Sequence, residues 1–371
     1  MSKEKRRIWP FVVLLLFLLY FFIGARPVPK EKVLSPRWLS SIESGQRIFS
    51  GGSQDDEINA DPFSTIPFAF NGRFGYVDTN GRFALNNEKF GHLSLSKTKW
   101  ALYGAQPTSL EIRNNFNNTV ETIDKPRGYP AFMGGRTFII GSEQNDLCET
   151  DGAGGILWAY ETSAPITCAD ATADLALIGT IDGVVEVLDL NGRKRFVFEP
   201  GGSRYSIILG CAFSHDGSRI ALVCGIGLQR FLLLERYGNN YEYKVVYHEF
   251  LENGFRRPVF VNFIDRDKRV VFEREGGLGV YEAGSRKSYK AALKGDILAI
   301  DNSGEAGQLF VIADSAEESN RMKKYLIGIS LPNKVFIRAP FYSDDVFLGR
   351  IGSQLFLGGG STLASFDLER K

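Results

Sequence analysis

One short turn recurs along this chain and limits what it can fold into. Asn80-Gly81, Asn114-Asn115, Asp151-Gly152, Asn191-Gly192, Gly238-Asn239, Gly284-Ser285 and Pro332-Asn333 mostly separate an apolar run from an aromatic or β-branched one. Asn-Gly and Asp-Gly pairs suit tight hairpins, because both central residues of a type I′ turn need positive φ. The clearest case is residues 172–199, where TADLALIG, GVVEVLDL and RKRFVFE are separated by Asp182-Gly183 and Asn191-Gly192. These runs are expected to be three antiparallel strands in a meander. The turns lie about 35–50 residues apart, the length of one four-stranded repeat unit.

The strands upstream of the later turns complete the unit. In residues 206–235 a strand, the turn His215-Asp216-Gly217-Ser218, a second strand and a third strand precede an outer strand at 241–248. The next units run PVFVNFID, KRVVFER, LGVYEA, KSYKAAL and then DILAIDN, QLFVIAD, KYLIGIS, KVFIRA. The last unit, DVFLGRI, QLFLGGG, LASFDLE, stops after three strands. Such a ring must close, since an open edge strand invites aggregation. Residues 46–50, on the N-terminal side, are expected to supply the missing outer strand. The first unit, FAFNGRF, FGYVDTN, RFALNNE, has no evident inner strand. The fold class expected is all-β, a β-propeller of about eight four-stranded blades, with seven as the alternative. No helical period of useful length follows Ala25, and residues 314–324 are expected to form a long hairpin loop. The 40 glycines and 29 phenylalanines suit many short aromatic strands joined by tight turns.

IGTIDGVVEVLDLNGRKRF resembles the quinoprotein-like (PQQ-type) propeller repeat, and AFSHDGSRIALV resembles the first hairpin of a WD40-like blade. The resemblance covers residues 62–371. It implies the fold and a non-enzymatic scaffold role. The WD dipeptide is absent, and of the repeated docking tryptophan only Trp158 stands in place. The PQQ enzymes also need a vicinal disulfide, and no adjacent cysteine pair exists. The resemblance therefore brings no catalytic residue and no cofactor.

Residues 8–25, IWPFVVLLLFLLYFFIGA, are almost wholly apolar and follow Lys3, Lys5, Arg6 and Arg7. Their length is at the short end of a membrane span and beyond the core of a cleaved signal peptide. The expectation is an uncleaved signal-anchor, with cleavage after Ala25 as the alternative. A basic N-terminus left inside places the propeller outside the cytoplasm, periplasmic or extracellular. The chain thus divides into a membrane anchor at 1–25, an extended linker at 26–61 stiffened by Pro27, Pro29 and Pro36, and the propeller at 62–371.

The chemistry-bearing residues are sparse. His92, His215 and His248 have no histidine partner at ligand spacing, and no G-x-S-x-G elbow is present. Cys148, Cys168, Cys211 and Cys224 form no C-x-x-C. Cys211 and Cys224 fall on one face of a hairpin, either as a disulfide or as buried thiols. The acidic clusters Asp55-Asp56-Glu57 and Asp344-Asp345 lack a calcium-loop pattern. The glycine runs at 275–279 and 358–362 precede no helix and are expected to be hairpin turns. Asn117 matches a glycosylation sequon by letters. No catalytic, cofactor or metal residue is expected. A formal net charge of +1 gives no basic excess for nucleic acid. The function expected is a membrane-anchored protein–protein interaction scaffold of the cell envelope. The alternatives are a small-ligand sensor or enzyme using the channel mouth, and a secreted structural propeller.

Overall fold

The structure is a computed structural model that describes residues 5–24, 32–50, 64–238, 240–252, 254–301, 303, 307–315 and 322–370. It divides into two units, residues 1–35 with 368–371, and residues 36–367. The first contains the helix α1, Lys5–Gly24, of 20 residues. The described side chains of α1 run from Trp9 to Tyr20, with Phe22, and are exposed. Among the described residues no helix is long and apolar enough to cross a membrane, so the expected span is not established by them.

The second unit is built of eight antiparallel sheets, the blades of a propeller. Blade 4 shows why. Its strands are Ile166–Ala171, Ala176–Thr180, Val185–Leu188 and Lys194–Phe198, paired in sequence order. The second and third strands are buried at every position, because each face of the sheet is covered by a neighbouring blade. The outer strand is largely exposed. The expected meander of residues 172–199 is therefore the outer three strands of this blade.

Blade 5 follows with Tyr205–Phe213, Arg219–Ile226, Gln229–Tyr237 and Glu242–Leu251. Blade 6 has Val261–Ile264, Arg269–Arg274, Gly277–Glu282 and Lys287–Ala292. Blade 7 has Ile297–Ile300, Gln308–Asp314, Lys323–Ser330 and Lys334–Tyr342. Residues 316–321, at the centre of its expected long hairpin loop, lie outside the described residues. Blade 2 has His92–Leu95, Lys99–Tyr103, Ser109–Asn114 and Thr119–Asp124. Blade 3 has Gly128–Met133, Arg136–Gly141, Asp146–Thr150 and Ile156–Glu161. Apolar clusters fill the gaps between consecutive blades: Leu177, Val187, Leu222 and Leu234 join blades 4 and 5, while Val271, Val280, Leu309 and Ile327 join blades 6 and 7.

The recurring turn keeps one position, between the third and outer strands. In four blades its first residue also plays the same part. One side-chain oxygen of Asp78, Asn114, Asp151 and Asp189 accepts from the backbone N–H groups two and four residues on, at 2.8–3.0 Å. The side chain thus holds a turn whose glycines have positive φ, +81° at Gly81 and +69° at Gly192.

Blade 8 closes the ring and corrects the sequence reading. Its sheet runs Val346–Ile351, Gln354–Gly359, Thr362–Arg370, Lys32–Ser41 and Arg47–Ser50. Residues 46–50 are not the missing fourth strand. Lys32–Ser41, expected to be linker, takes that place, and Arg47–Ser50 is a fifth strand beyond it. The proline signal suggested an exit segment, but Trp38 anchors this stretch: it is 2% exposed and its N–H donates to Thr79 O at 2.8 Å.

Blade 1 has three described strands, Thr65–Phe70, Arg73–Asp78 and Phe83–Glu88. Asn71 N donates to Asp345 Oδ2, just ahead of the inner strand of blade 8, at 2.7 Å. Gln354, just past the first turn of blade 8, donates to Thr79 O at 2.6 Å. The hairpin at 71–72 thus lies at the end where inner strands begin, and the turn at 79–82 at the opposite end. The three strands are the second, third and outer ones; an inner strand is not among the described residues.

Candidate interaction surface

Each blade places its turns at two ends. One end carries the loops entering the inner strands and the hairpins between second and third strands. The opposite end carries the first turns and the recurring Asx turns.

At the entry end of blade 5 three loops are tied together. Ser203 Oγ donates to Leu228 O at 2.6 Å, and Gln229 Nε2 donates to Phe255 O. A Cβ at Gly202 would stand 3.1 Å from the Arg230 guanidinium, so the loop at 200–204 lies directly on that arginine. The register sets Arg230 opposite Phe250, and its Cζ is 5.8 Å from the Phe250 ring centroid. Tyr205, Leu228 and Phe250 stand on this framework 54%, 58% and 58% exposed.

Arginines surround these apolar groups. Arg204 lies over the Tyr205 ring at 5.4 Å, and Arg257 over Phe255 at 4.8 Å. Arg257 is also paired with Glu273, Nη1 to Oε2 at 3.1 Å. Arg204 and Arg256 are exposed and make no ion pair among the described residues. Glu252 is an exposed acid on the adjoining loop. Tyr, Phe and Arg on a rigid base form the composition from which binding hot spots are drawn. Arg230 itself is half-buried, with its Nε covered and unpartnered, so it supports the surface rather than presenting it.

The residues singled out from sequence are dispersed. His92 stacks on Tyr103 in blade 2, His215 sits in the first turn of blade 5, and His248 meets Phe250 edge-on. Cys211 and Cys224 share a core cluster as free thiols, and Cys168 of blade 4 packs against the same cluster. Burial pushes the Cys224 thiol up to about 11, with Arg230 acting in the other direction. Asp345 is used structurally, accepting from Asn71 N and Val346 N. Asp55-Asp56 lies outside the described residues. The glycine runs form hairpins between second and third strands in blades 6 and 8. Among the described residues no group of three or more His, Cys, Asp or Glu is arranged to hold a metal.

A protein-family profile described as "beta-propeller protein" matches residues 1–371. The chain belongs to this beta-propeller family. A relative of this propeller, an uncharacterized protein of Treponema pallidum (strain Nichols), is 28% identical over 367 residues, 99% of this chain and 95% of the relative. BamB from Moraxella catarrhalis superposes with a TM-score of 0.57 at 12% identity, over 91% of this chain and 99% of BamB. The computationally designed protein Ika8 gives 0.59 at 13% identity, over 82% of this chain and 93% of Ika8. At these identities the two structures share the fold.

Sequence reasoning missed the surface on blade 5. Its residues come from three segments at strand ends and in the adjoining loops, within 202–205, 226–230 and 250–257, and no spacing links them. Only the hairpin pairing brings Arg230 beneath Phe250.

Proposed function

We propose that this propeller is a membrane-anchored protein–protein interaction scaffold of the cell envelope, which holds an acidic segment of a partner protein at the entry end of blade 5. The observation that carries the proposal is the trio Tyr205, Leu228 and Phe250, exposed on a hydrogen-bonded base, with Arg204 and Arg256 nearby making no ion pair among the described residues. Apolar side chains supply the affinity, and the arginines favour a partner carrying Asp or Glu. The protein acts by binding, without catalysis, and nucleic acid is not a partner.

Residues 8–25 serve as the anchor in this reading. The support for it is the sequence itself, an almost wholly apolar run behind Lys3, Lys5, Arg6 and Arg7. The propeller then lies on the extracytoplasmic side, in the periplasm or outside the cell. A mature protein beginning near Arg26 would overturn the anchor.

The test is site-specific photo-crosslinking of the full chain in native membranes, with the crosslinker at position 228 or 250. One partner protein recurring from both positions, and lost in a Tyr205→Glu variant, is the expected result. Crosslinks that are absent, or indifferent to Tyr205→Glu in a folded protein, would overturn the assignment.

A further inference from the structure

A second feature lies at the opposite end, where the first turn of blade 6 meets blade 5. A pocket of about 390 Å³ is lined there by Arg219, Arg266, Asp267, Lys268, Arg269, Glu282 and Ser285, among others. The volume is in the range of small-molecule sites. The turn beside it is conformationally unusual. Asp265, Arg266 and Asp267 are three successive non-glycine residues with φ of +53°, +54° and +61°. Asp tolerates that region; Arg adopts it at a cost, and such backbone persists only where surrounding contacts hold it.

Those contacts also engage the acids. Arg269 pairs with both Asp265 and Glu282, the latter at 2.9 Å. Asp267 Oδ2 accepts from His215 N at 2.9 Å, which ties the turn to blade 5. Ser285 Oγ donates to Glu282 Oε2 at 3.3 Å. Three cations remain. Arg219, with its Cζ 5.5 Å from the Phe263 ring, Arg266 and Lys268 make no ion pair among the described residues. Around this turn four cations, Arg219, Arg266, Lys268 and Arg269, stand against three carboxylates, Asp265, Asp267 and Glu282, and the positive excess in a concave site favours an anion.

We infer that this pocket binds a phosphate monoester, held between Arg219, Arg266 and Lys268. A guanidinium presents parallel N–H donors that match two phosphate oxygens, and Lys268 adds a point charge. The ligand class covers free phosphorylated small molecules and the phosphorylated headgroup of an envelope lipid. The site is at the opposite end from the protein-binding surface and stands independently of it.

The test is calorimetric titration of the full chain in detergent micelles with inorganic phosphate and with glycerol 3-phosphate. Phosphatidic acid doped into the micelles forms the third arm. The expected result is saturable binding of the two soluble probes, weakened at least tenfold by Arg266→Gln and by Arg219→Gln, and unchanged by Leu228→Glu. Displacement by phosphatidic acid assigns the lipid source; its failure assigns the soluble one. Lys268→Gln, in an exposed side chain, serves if either arginine variant unfolds. No binding of either soluble probe, or binding indifferent to all three substitutions, overturns the site.

Discussion

The indole of Trp38 lies flat against Gly81, so closely that a Cβ on the glycine would stand 2.7 Å from the ring. The same joint is made by Trp158 of blade 3 on Gly192 of blade 4, again at 2.7 Å. Trp38 therefore does for the seam between blade 8 and blade 1 what Trp158 does within the continuous chain. The ring is shut by a contact of the repeat's own kind, made by a strand from the opposite end of the sequence.

Trp38→Ala should then destabilise the propeller by about 3–5 kcal/mol, the usual cost of emptying a buried aromatic site. Trp158→Ala should cost a similar amount while leaving the seam intact. Urea unfolding followed by circular dichroism measures both. Limited proteolysis separates them, since only Trp38→Ala should release the segment at 32–50 before global unfolding.

Acid should weaken the fold over a defined window. The Asp216 carboxyl sits at about 2, against an ordinary 3.8: burial raises it, but donors from Ser218 and Ser214 outweigh that. Asp151 and Asp189 are also lowered, Asp151 chiefly by the N–H of Ala153 and Asp189 by turn N–H groups and Arg195 against a burial effect of opposite sign. A carboxyl that is more acidic when folded stabilises fully above its unfolded value and ceases to do so as pH falls through its folded value. Stability should therefore drop between about pH 4 and 2, and Asp216→Asn should make that drop shallower. Asp170 acts in the opposite sense, because burial raises it. Denaturant midpoints measured across this range check the slope.

Glu121 is 3% exposed, and neither of its carboxylate oxygens has a hydrogen-bond partner among the described residues. A buried acceptor left unpaired costs about 1–3 kcal/mol. Glu121→Leu should recover a comparable amount and raise the melting temperature. A lower melting temperature would overturn this prediction.

The thiols should differ in reactivity with folding. Cys211 is pushed well above its ordinary value by a hydrogen bond with Cys168 and by burial, and Cys224 is raised to about 11 by burial. The thiolate is the reacting species. Native protein at pH 8 should leave Cys211 and Cys224 unmodified by iodoacetamide, while denatured protein should alkylate all four cysteines. Intact mass before and after denaturation reads the count.

Much of this architecture is legible in the chain because its signals are local. An Asp or Asn four residues before the end of the turn, with Gly or Asn between, makes its hydrogen bonds within five residues, so the letters specify the geometry. Strand order in blades 5 and 6 follows from short hairpins for the same reason. The closing blade was legible only in part. Residues 32–41 carry Pro36 and polar side chains and become a strand through Trp38 and the edge of Thr362–Arg370.

The sequence by itself determined the repeat, its turn and the need for a closing segment, since each rests on contacts between near neighbours in the chain. Tertiary structure alone decided which N-terminal strand closes the ring, that Arg230 lies beneath Phe250, and that Arg219 shares a pocket with Arg266 and Lys268. Those relationships join residues far apart in sequence, and their energy exists only once the blades are packed side by side.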